Sequence, residues 1–201
     1  MLPVRGLSRG KSRLAGALDA AERMRLNRRL LRHTLWVLDR WLGGLGRCVV
    51  VSPCARTLQL ARREGAVPRT QSLPRAGLNA ALTQAIGSLV RAGARRVLIL
   101  PCDLPLLSAS SLTAFDARAA EGARVVIAPD RSGTGTNALL LEVPARFALC
   151  FGPASFVLHK EVAHARGWGV RVCECPELMF DLDTPQDLAA WEARGSRRWG
   201  R

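Results

Sequence analysis

No stretch of the 201-residue chain approaches the ~18 uninterrupted apolar residues of a membrane-spanning helix. The opening Met1-Leu2-Pro3-Val4-Arg5 has no apolar run of secretory-signal length. Both absences point to a cytoplasmic protein with no membrane partner. The six cysteines (Cys48, Cys54, Cys102, Cys150, Cys173 and Cys175) include no CxxC pair and no histidine at zinc-ligand spacing. Neither a zinc site nor a disulfide frame is supported, and reduced core thiols are expected. A G-x-S-x-G elbow, a G-x-G-x-x-G after a first strand and the P-loop spacing are missing too. Those gaps argue against an α/β-hydrolase triad, a nicotinamide dehydrogenase and a Walker-type phosphate site. None of His33, His159 and His164 has a Cys or Ser partner at nucleophile spacing, although His159 lies one turn beyond Ser155 on the same helix face.

What is present is an ordinary globular composition, 48% hydrophobic and 23% charged, with an uneven charge map. Lysine is scarce: Lys11 and Lys160 are the only two among 30 basic residues. Residues 1–100 carry 19 basic and 4 acidic side chains, whereas residues 101–201 carry 11 and 12. The first half therefore presents an anion-attracting surface, suited to nucleic acid, anionic lipid or a polyanionic small molecule. The same arginines also follow from GC-rich coding alone. Acidic groups gather in the second half, where a metal ion could sit.

Helix and strand patterns alternate along the chain. Asp19-Ala20-Ala21-Glu22 forms a capping box ahead of a helix that Gly43-Gly44 stops. Residues 47–52 and 124–128 are β-branched runs, Val97–Leu100 reads as a strand buried on both faces, and 138–141 and 169–173 complete the set. Helices are expected around 58–61, from Gly77 to about Ala92, from Ser108, from Ser155 to about Arg166, and after Thr184-Pro185. The pattern predicts a single α/β domain over 1–193, a three-layer sandwich on a mainly parallel sheet, with a basic, frayed tail at 194–201. Only Leu2, Pro3 and Val4 precede Arg5, so the first strand is either a stub or the true start lies upstream.

Ligands in open parallel sheets bind beyond the carboxyl ends of the strands. Asp103 stands there, after Val97–Leu100, as a natural metal ligand or as a simple turn cap. Asp181 and Asp183 alternate along extended chain, so they share a face and can reach one cation, although Asp183 could merely help cap the helix at Thr184. With Asp103 added, a divalent site is the better reading. Gly133-Thr134-Gly135-Thr136-Asn137 is a Gly-rich loop that lets backbone approach an anion, with a plain hairpin turn as its competitor. Phe151-Gly152-Pro153-Ala154-Ser155 leads into a helix with Ser155 as its N-cap, a place that also suits a phosphate or carboxylate. Arg9, Lys11 and Arg13 gather cations beside Gly10.

Taken in order, six segments resemble one family: Pro3-Val4-Arg5 with Gly10-Lys11-Ser12-Arg13-Leu14; Gly77-Leu78-Asn79-Ala80-Ala81-Leu82; Leu100-Pro101-Cys102-Asp103-Leu104-Pro105; Ala128-Pro129-Asp130-Arg131 with Gly135-Thr136-Asn137-Ala138-Leu139; Phe151-Gly152 with Ser155-Phe156 and His159; and Asp181-Leu182-Asp183-Thr184-Pro185. The chain is similar to the 2-phospho-L-lactate, phosphoenolpyruvate and 3-phospho-D-glycerate guanylyltransferases of coenzyme F-420 biosynthesis. The resemblance implies a Rossmann-like, GT-A-like nucleotidyltransferase fold related to molybdenum-cofactor guanylyltransferases. It implies that Asp103, Asp181 and Asp183 hold magnesium and carry catalysis. Thr136, Asn137, Gly152 and Ser155 would bind the phospho-acid, and Lys11, Arg13, Gly77 and Asn79 would face GTP. Two departures are an arginine at position 5, where the family usually has lysine, and a shortened first strand.

The implied reaction suits the charge map. A phosphate oxygen already ionised near neutral pH attacks the α-phosphorus of GTP, so electrostatics and positioning carry the burden rather than a strong base. Rivals are another nucleotidyltransferase of the same fold, acting on a molybdenum cofactor or a sugar phosphate, a non-catalytic relative, and a basic nucleic-acid-binding protein. The last lacks a helix-turn-helix, a zinc finger or interleaved surface aromatics. Oligomeric state and the identity of the acid stay open.

Overall fold

The computed structural model describes residues 1–8, 10–71, 77–144 and 146–195. Strand β1 (Leu2–Pro3) pairs in parallel with β2 (Val49–Ser52), and β2 with β3 (Val67–Thr70). A second ladder runs in the order β4 (Arg96–Ile99), β6 (Thr136–Glu142), β5 (Val125–Pro129), β7 (Val170–Val172). Met1 joins the two ladders: its amino group donates to Leu98 O at 2.7 Å and its carbonyl accepts from Leu100 N–H at 3.0 Å. The sheet order is therefore β3-β2-β1-β4-β6-β5-β7. Every described pairing is parallel except those of β6. The stub of β1 is functionally longer than its two residues, because Val4 N–H continues the ladder to Val51 O at 2.9 Å.

Successive strand residues face opposite ways, and each face has its own core. Leu2, Val50, Leu100, Val126 and Leu140 pack toward α1 (Ala20–Leu42), α2 (Ala55–Arg63) and α4 (Ala109–Ala117). Val49, Ile99, Ile127 and Leu139 pack toward α3 (Gly77–Arg91) and α5 (Ser155–His164). The helix ends follow their local chemistry. Asp19 and Glu22 form the expected reciprocal cap, Gly43 closes α1 in a left-handed conformation, and Ser108 caps α4. The short α6 (Pro176–Met179) precedes α7 (Pro185–Ala193), which Thr184 and Asp187 cap behind Pro185. Among the described residues no helix is long and apolar enough to cross a membrane.

Two features differ from the sequence pattern. Val67-Pro68-Arg69-Thr70 forms an exposed edge strand with a single branched apolar residue, too weak a signal to register, and its proline is tolerated because the edge needs no second ladder. A β-bulge separates Ala128 opposite Ala138 from Pro129 opposite Thr136, so Asn137 is the extra residue of β6. It aims Thr136 toward α5 instead of the face of Ala138 and Leu140, and a bulge beside a site commonly re-aims a side chain in this way.

A third cluster joins the start of α1 to α7 through Leu26, Leu30, Leu188 and Trp191. It encloses Leu14 and Leu182, both fully buried, and so anchors the loops that carry Lys11 and Asp183. Arg194 and Gly195 follow α7; the remaining tail, 196–201, lies outside the described residues, as does Arg9.

Candidate active site

The strand order reverses between β1 and β4, and at such a switch point the connecting loops diverge to leave a crevice. A cleft of about 770 Å³ opens there. Arg5 and Gly6 line it after β1, Asp103 after β4, Thr136 at the start of β6, and Lys11, Arg13, Gly77 and Asp183 from the flanking loops. Because β6 runs antiparallel, its first residue reaches the same edge as the last residues of its parallel neighbours.

Lys11 is the hub of the acidic side. Its Nζ lies 3.0 Å from Asp103 Oδ2 and 2.7 Å from Asp183 Oδ1, with only 6% of the side chain exposed. Burial works against its charge, but the two carboxylates outweigh that cost and hold the ammonium above the ordinary lysine range. Lys11 adopts φ 62, and it shares left-handed backbone with only one other non-glycine residue among those described, Ala154 at φ 57. That conformation costs roughly 1–2 kcal/mol and persists only where the surroundings enforce it. Part of the enforcement comes from Asn27 on α1, whose Nδ2 donates to Leu7 O at 2.8 Å. Gly10 lies so close that a Cβ would stand 2.9 Å from that nitrogen.

On the facing loop, Asp187 Oδ2 accepts from the N–H groups of Asp183 (3.0 Å) and Thr184 (2.8 Å), while its other oxygen pairs with Arg131. The residue that caps α7 thereby also shapes the backbone under Asp183. Asp181 is half-buried nearby. Desolvation, then the charges of Asp103 and Asp183, push its carboxyl above the usual range. Burial and the neighbouring Asp103 charge likewise raise the Cys102 thiol to about 12, which removes it as a nucleophile. All six cysteines are free; Cys48 and Cys173 are core residues as expected, whereas the other four are half-buried.

The third wall is built from the 130–137 hairpin and the 150–155 loop. Asp130 accepts from Thr134 N–H at 2.9 Å and from Ser132 Oγ at 2.9 Å, and Gly135 passes so near that a Cβ would sit 2.7 Å from Asp130 Oδ2. These glycines do serve a tight hairpin, and it is Thr136 beyond them that lines the cleft. Asn137 donates to Met179 O at 3.2 Å, away from the cleft lining. Asn79, expected on the nucleotide side, sits behind the lining: its amide brackets Phe151, accepting from the N–H at 2.9 Å and donating to the carbonyl at 3.1 Å. Ser155 is the first residue of α5 rather than its N-cap. Ala154 occupies the cap in left-handed backbone and offers no side-chain acceptor. Ser155 is nevertheless 2% exposed. Gly152 precedes it at φ 138, backbone that favours glycine.

The family described as "Guanylyl transferase CofC like" matches residues 1–199. The chain belongs to the CofC-like guanylyl transferases. It is 43% identical over 195 residues to the phosphoenolpyruvate guanylyltransferase of Rubrobacter xylanophilus, spanning 97% of this chain and 93% of that protein. It is 34% identical over 197 residues to the 3-phospho-D-glycerate guanylyltransferase of Phenylobacterium zucineum, spanning 97% and 89%. A nucleotidyl transferase structure from Methanothermobacter thermautotroptrophicus superposes with a TM-score of 0.63 at 15% identity over 98% of this chain and 96% of that one. Molybdopterin-guanine dinucleotide biosynthesis protein A from Archaeoglobus fulgidus gives 0.53 at 13% identity over 98% and 100%. These two likenesses speak for the nucleotidyltransferase fold. Family membership makes the protein an enzyme and sets aside the basic, non-catalytic rival.

In this CofC-like cleft the expected residues divide into two groups. Lys11, Arg13, Gly77, Asp103, Thr136 and Asp183 line it together, whereas Asn79, Asn137, Gly152, Ser155 and Asp181 are not among its lining residues. Among the described residues no three acidic, histidine or cysteine side chains converge at ligating spacing, so the three aspartates form no preassembled cage. Their chemistry still fits magnesium, which takes one or two carboxylates and completes its octahedron with phosphate oxygens and water. One ammonium facing Asp103 and Asp183, with the raised Asp181 beside them, leaves negative charge that a dication would relieve. The sequence reading missed Asn27, Asp187 and Arg131 as supports, and it noted His159 for its helix face and within a family segment without giving it a role. The signal for Asp187 was its capping-box position; for Asn27 it was a polar residue within the mostly apolar buried stripe of α1.

Proposed function

We propose that this chain transfers a guanylyl group from GTP to the phosphate of a small phospho-acid, phosphoenolpyruvate being the first candidate, within coenzyme F-420 biosynthesis. The observation that carries the reading is the Lys11 bridge between Asp103 and Asp183 at the switch point, with the Thr136 hydroxyl in the same cleft. The higher identity to a phosphoenolpyruvate enzyme than to a 3-phosphoglycerate enzyme supports the choice of acid.

Arg5, Lys11 and Arg13 draw the triphosphate into the mouth of the cleft, with Gly77 at the start of α3 on the same side. Thr136, with Gly152 and Ser155 from the 150–155 loop, orients the acid. A phosphate oxygen of the acid then forms a bond to the α-phosphorus of GTP while the bond to the β-phosphate bridging oxygen breaks, releasing pyrophosphate and leaving a diphosphate-linked product. That oxygen is already ionised near neutral pH, so no side chain needs to remove a proton from it. Asp103, with Asp181 and Asp183, would hold magnesium, which supplies charge neutralisation for the triphosphate and the departing pyrophosphate. Pyrophosphate release is measured with GTP, magnesium and each of phosphoenolpyruvate, 2-phospholactate and 3-phosphoglycerate separately, and the product is weighed by mass spectrometry. A guanylylated product with one acid establishes the reaction. Silence with all three from folded protein refutes it, and salt-sensitive retention on nucleic acid would then revive the basic-binder alternative.

A further inference from the structure

His159 is fully buried between the rings of Phe147, at a centroid distance of 5.9 Å, and Phe151, edge-on at 4.9 Å. Its Nε2 accepts the Cys150 backbone N–H at 2.9 Å. A ring nitrogen that accepts a hydrogen bond carries no proton, so in the neutral imidazole the proton belongs to Nδ1. Nδ1 lies 3.0 Å from Thr136 Oγ1, and it must donate. The Thr136 oxygen is thereby occupied as an acceptor of that bond, and its own O–H is left to point elsewhere. Thr136 lines the cleft, and a carboxylate or phosphate entering there offers acceptors only. The opposite polarity, with Thr136 donating to the ring, would put the imidazole proton on Nε2 against the Cys150 amide.

We infer that His159 is a positioning residue for the acid half of the reaction: locked in one tautomer by the Cys150 amide, it fixes Thr136 as a hydrogen-bond donor to the anionic substrate. The inference rests on the phospho-acid reading above and deepens it. Three donors then align in series, from the Cys150 amide through the ring to the hydroxyl, and each bond polarises the next. Burial, which drops the ring to about pH 4 for half-protonation, keeps it neutral throughout the physiological range. The same ring ties the bulged start of β6 to the 150–155 loop, so two segments meant for one ligand share one support.

The test separates KM for the acid from KM for GTP. His159→Phe and Thr136→Val should each raise the acid KM about tenfold or more, the scale of losing a hydrogen bond to a charged ligand, while the GTP KM stays unchanged. The double variant should be no worse than the worse single one, and His159→Gln, which keeps a donor and an acceptor, should restore most of the affinity. Additive losses, or a fall in kcat with both KM values moved alike, overturn the inference in favour of plain structural support. Long-range 1H–15N spectra of the imidazole in wild-type protein decide independently of turnover. The Nδ1–H tautomer, with ring signals that shift as phosphoenolpyruvate is added, is expected. An Nε2–H tautomer, or a ring indifferent to phosphoenolpyruvate, overturns it. A wild-type protein that releases no pyrophosphate but shows both spectroscopic results refutes the proposed reaction and leaves this donor assignment standing.

Discussion

Replacing Lys11 with methionine removes a cation while keeping most of the apolar stem that fills the space. Breaking a buried ion pair by deleting one partner costs about 3–5 kcal/mol, because the other charge stays desolvated. Here the two carboxylate side chains retain 28% and 41% exposure, so water recovers part of that loss. About 2 kcal/mol is the resulting expectation, which for a domain of this length corresponds to a melting temperature lowered by roughly 4–8 °C. Thermal melts followed by circular dichroism, run in chelator and again in magnesium, measure it. The ammonium and a dication claim the same oxygens, so magnesium should raise the melting temperature of Lys11→Met more than that of the wild type. The difference between the two proteins in chelator is fully present below the unfolded lysine value of 10.5 and closes only as pH climbs through the raised value in the folded state. A variant that melts with the wild type in chelator would reduce the bridge to an ordinary surface pair. An equal magnesium shift in both proteins would refute the sharing of carboxylates.

Three further outcomes are expected. Asp103→Asn should lower pyrophosphate release roughly a hundredfold, the scale of losing one preorganised electrostatic contact, and full activity would remove Asp103 from the site. Asn79→Ala strips both hydrogen bonds from Phe151 and should destabilise the protein by about 1–3 kcal/mol in urea unfolding; an unchanged midpoint would show that the 150–155 loop does not need its bracket. Between pH 6.5 and about 4 the unfolded chain takes up a proton that buried His159 refuses, so stability falls as pH falls, by up to ~3 kcal/mol; His159→Gln should abolish this share of the slope, and an identical slope in both proteins would contradict a neutral ring.

The parts of this molecule legible in the sequence are those governed by short-range rules. Asp19 with Glu22, Gly43, Ser108 and Thr184 with Asp187 set helix ends through contacts within four residues, and all sit where the pattern put them. Val97–Leu100 announced a strand covered on both faces, and its residues do divide between the two cores. Edge strand β3 escaped because an exposed edge asks little of its side chains. At the site, the short-range signal named residue types without roles. The family resemblance put Asn79 toward the nucleotide, and the residue its amide brackets lies 72 positions away. Lys11 was visible as a cation beside glycine, but its partners stand 92 and 172 positions along the chain.

The bulge at Asn137 shows why no pattern in a single strand could have assigned Thr136 and His159 to each other. Strict alternation along β6 would place Thr136 with Ala138 and Leu140, toward α1 and α4, and would leave His159 as one more buried histidine in an apolar pocket. One extra residue reverses that orientation, and it is detectable only in the register with β5. The direction of the hydrogen bond then depends on a third segment, the Cys150 amide, which the bracket from Asn79 to the next residue holds in place. Under the proposed reading, recognition of the acid would be a property of four chain segments whose mutual geometry the fold supplies. Substitutions at Asn79 and His159, neither on the cleft lining, should consequently change acid affinity before they change the handling of GTP.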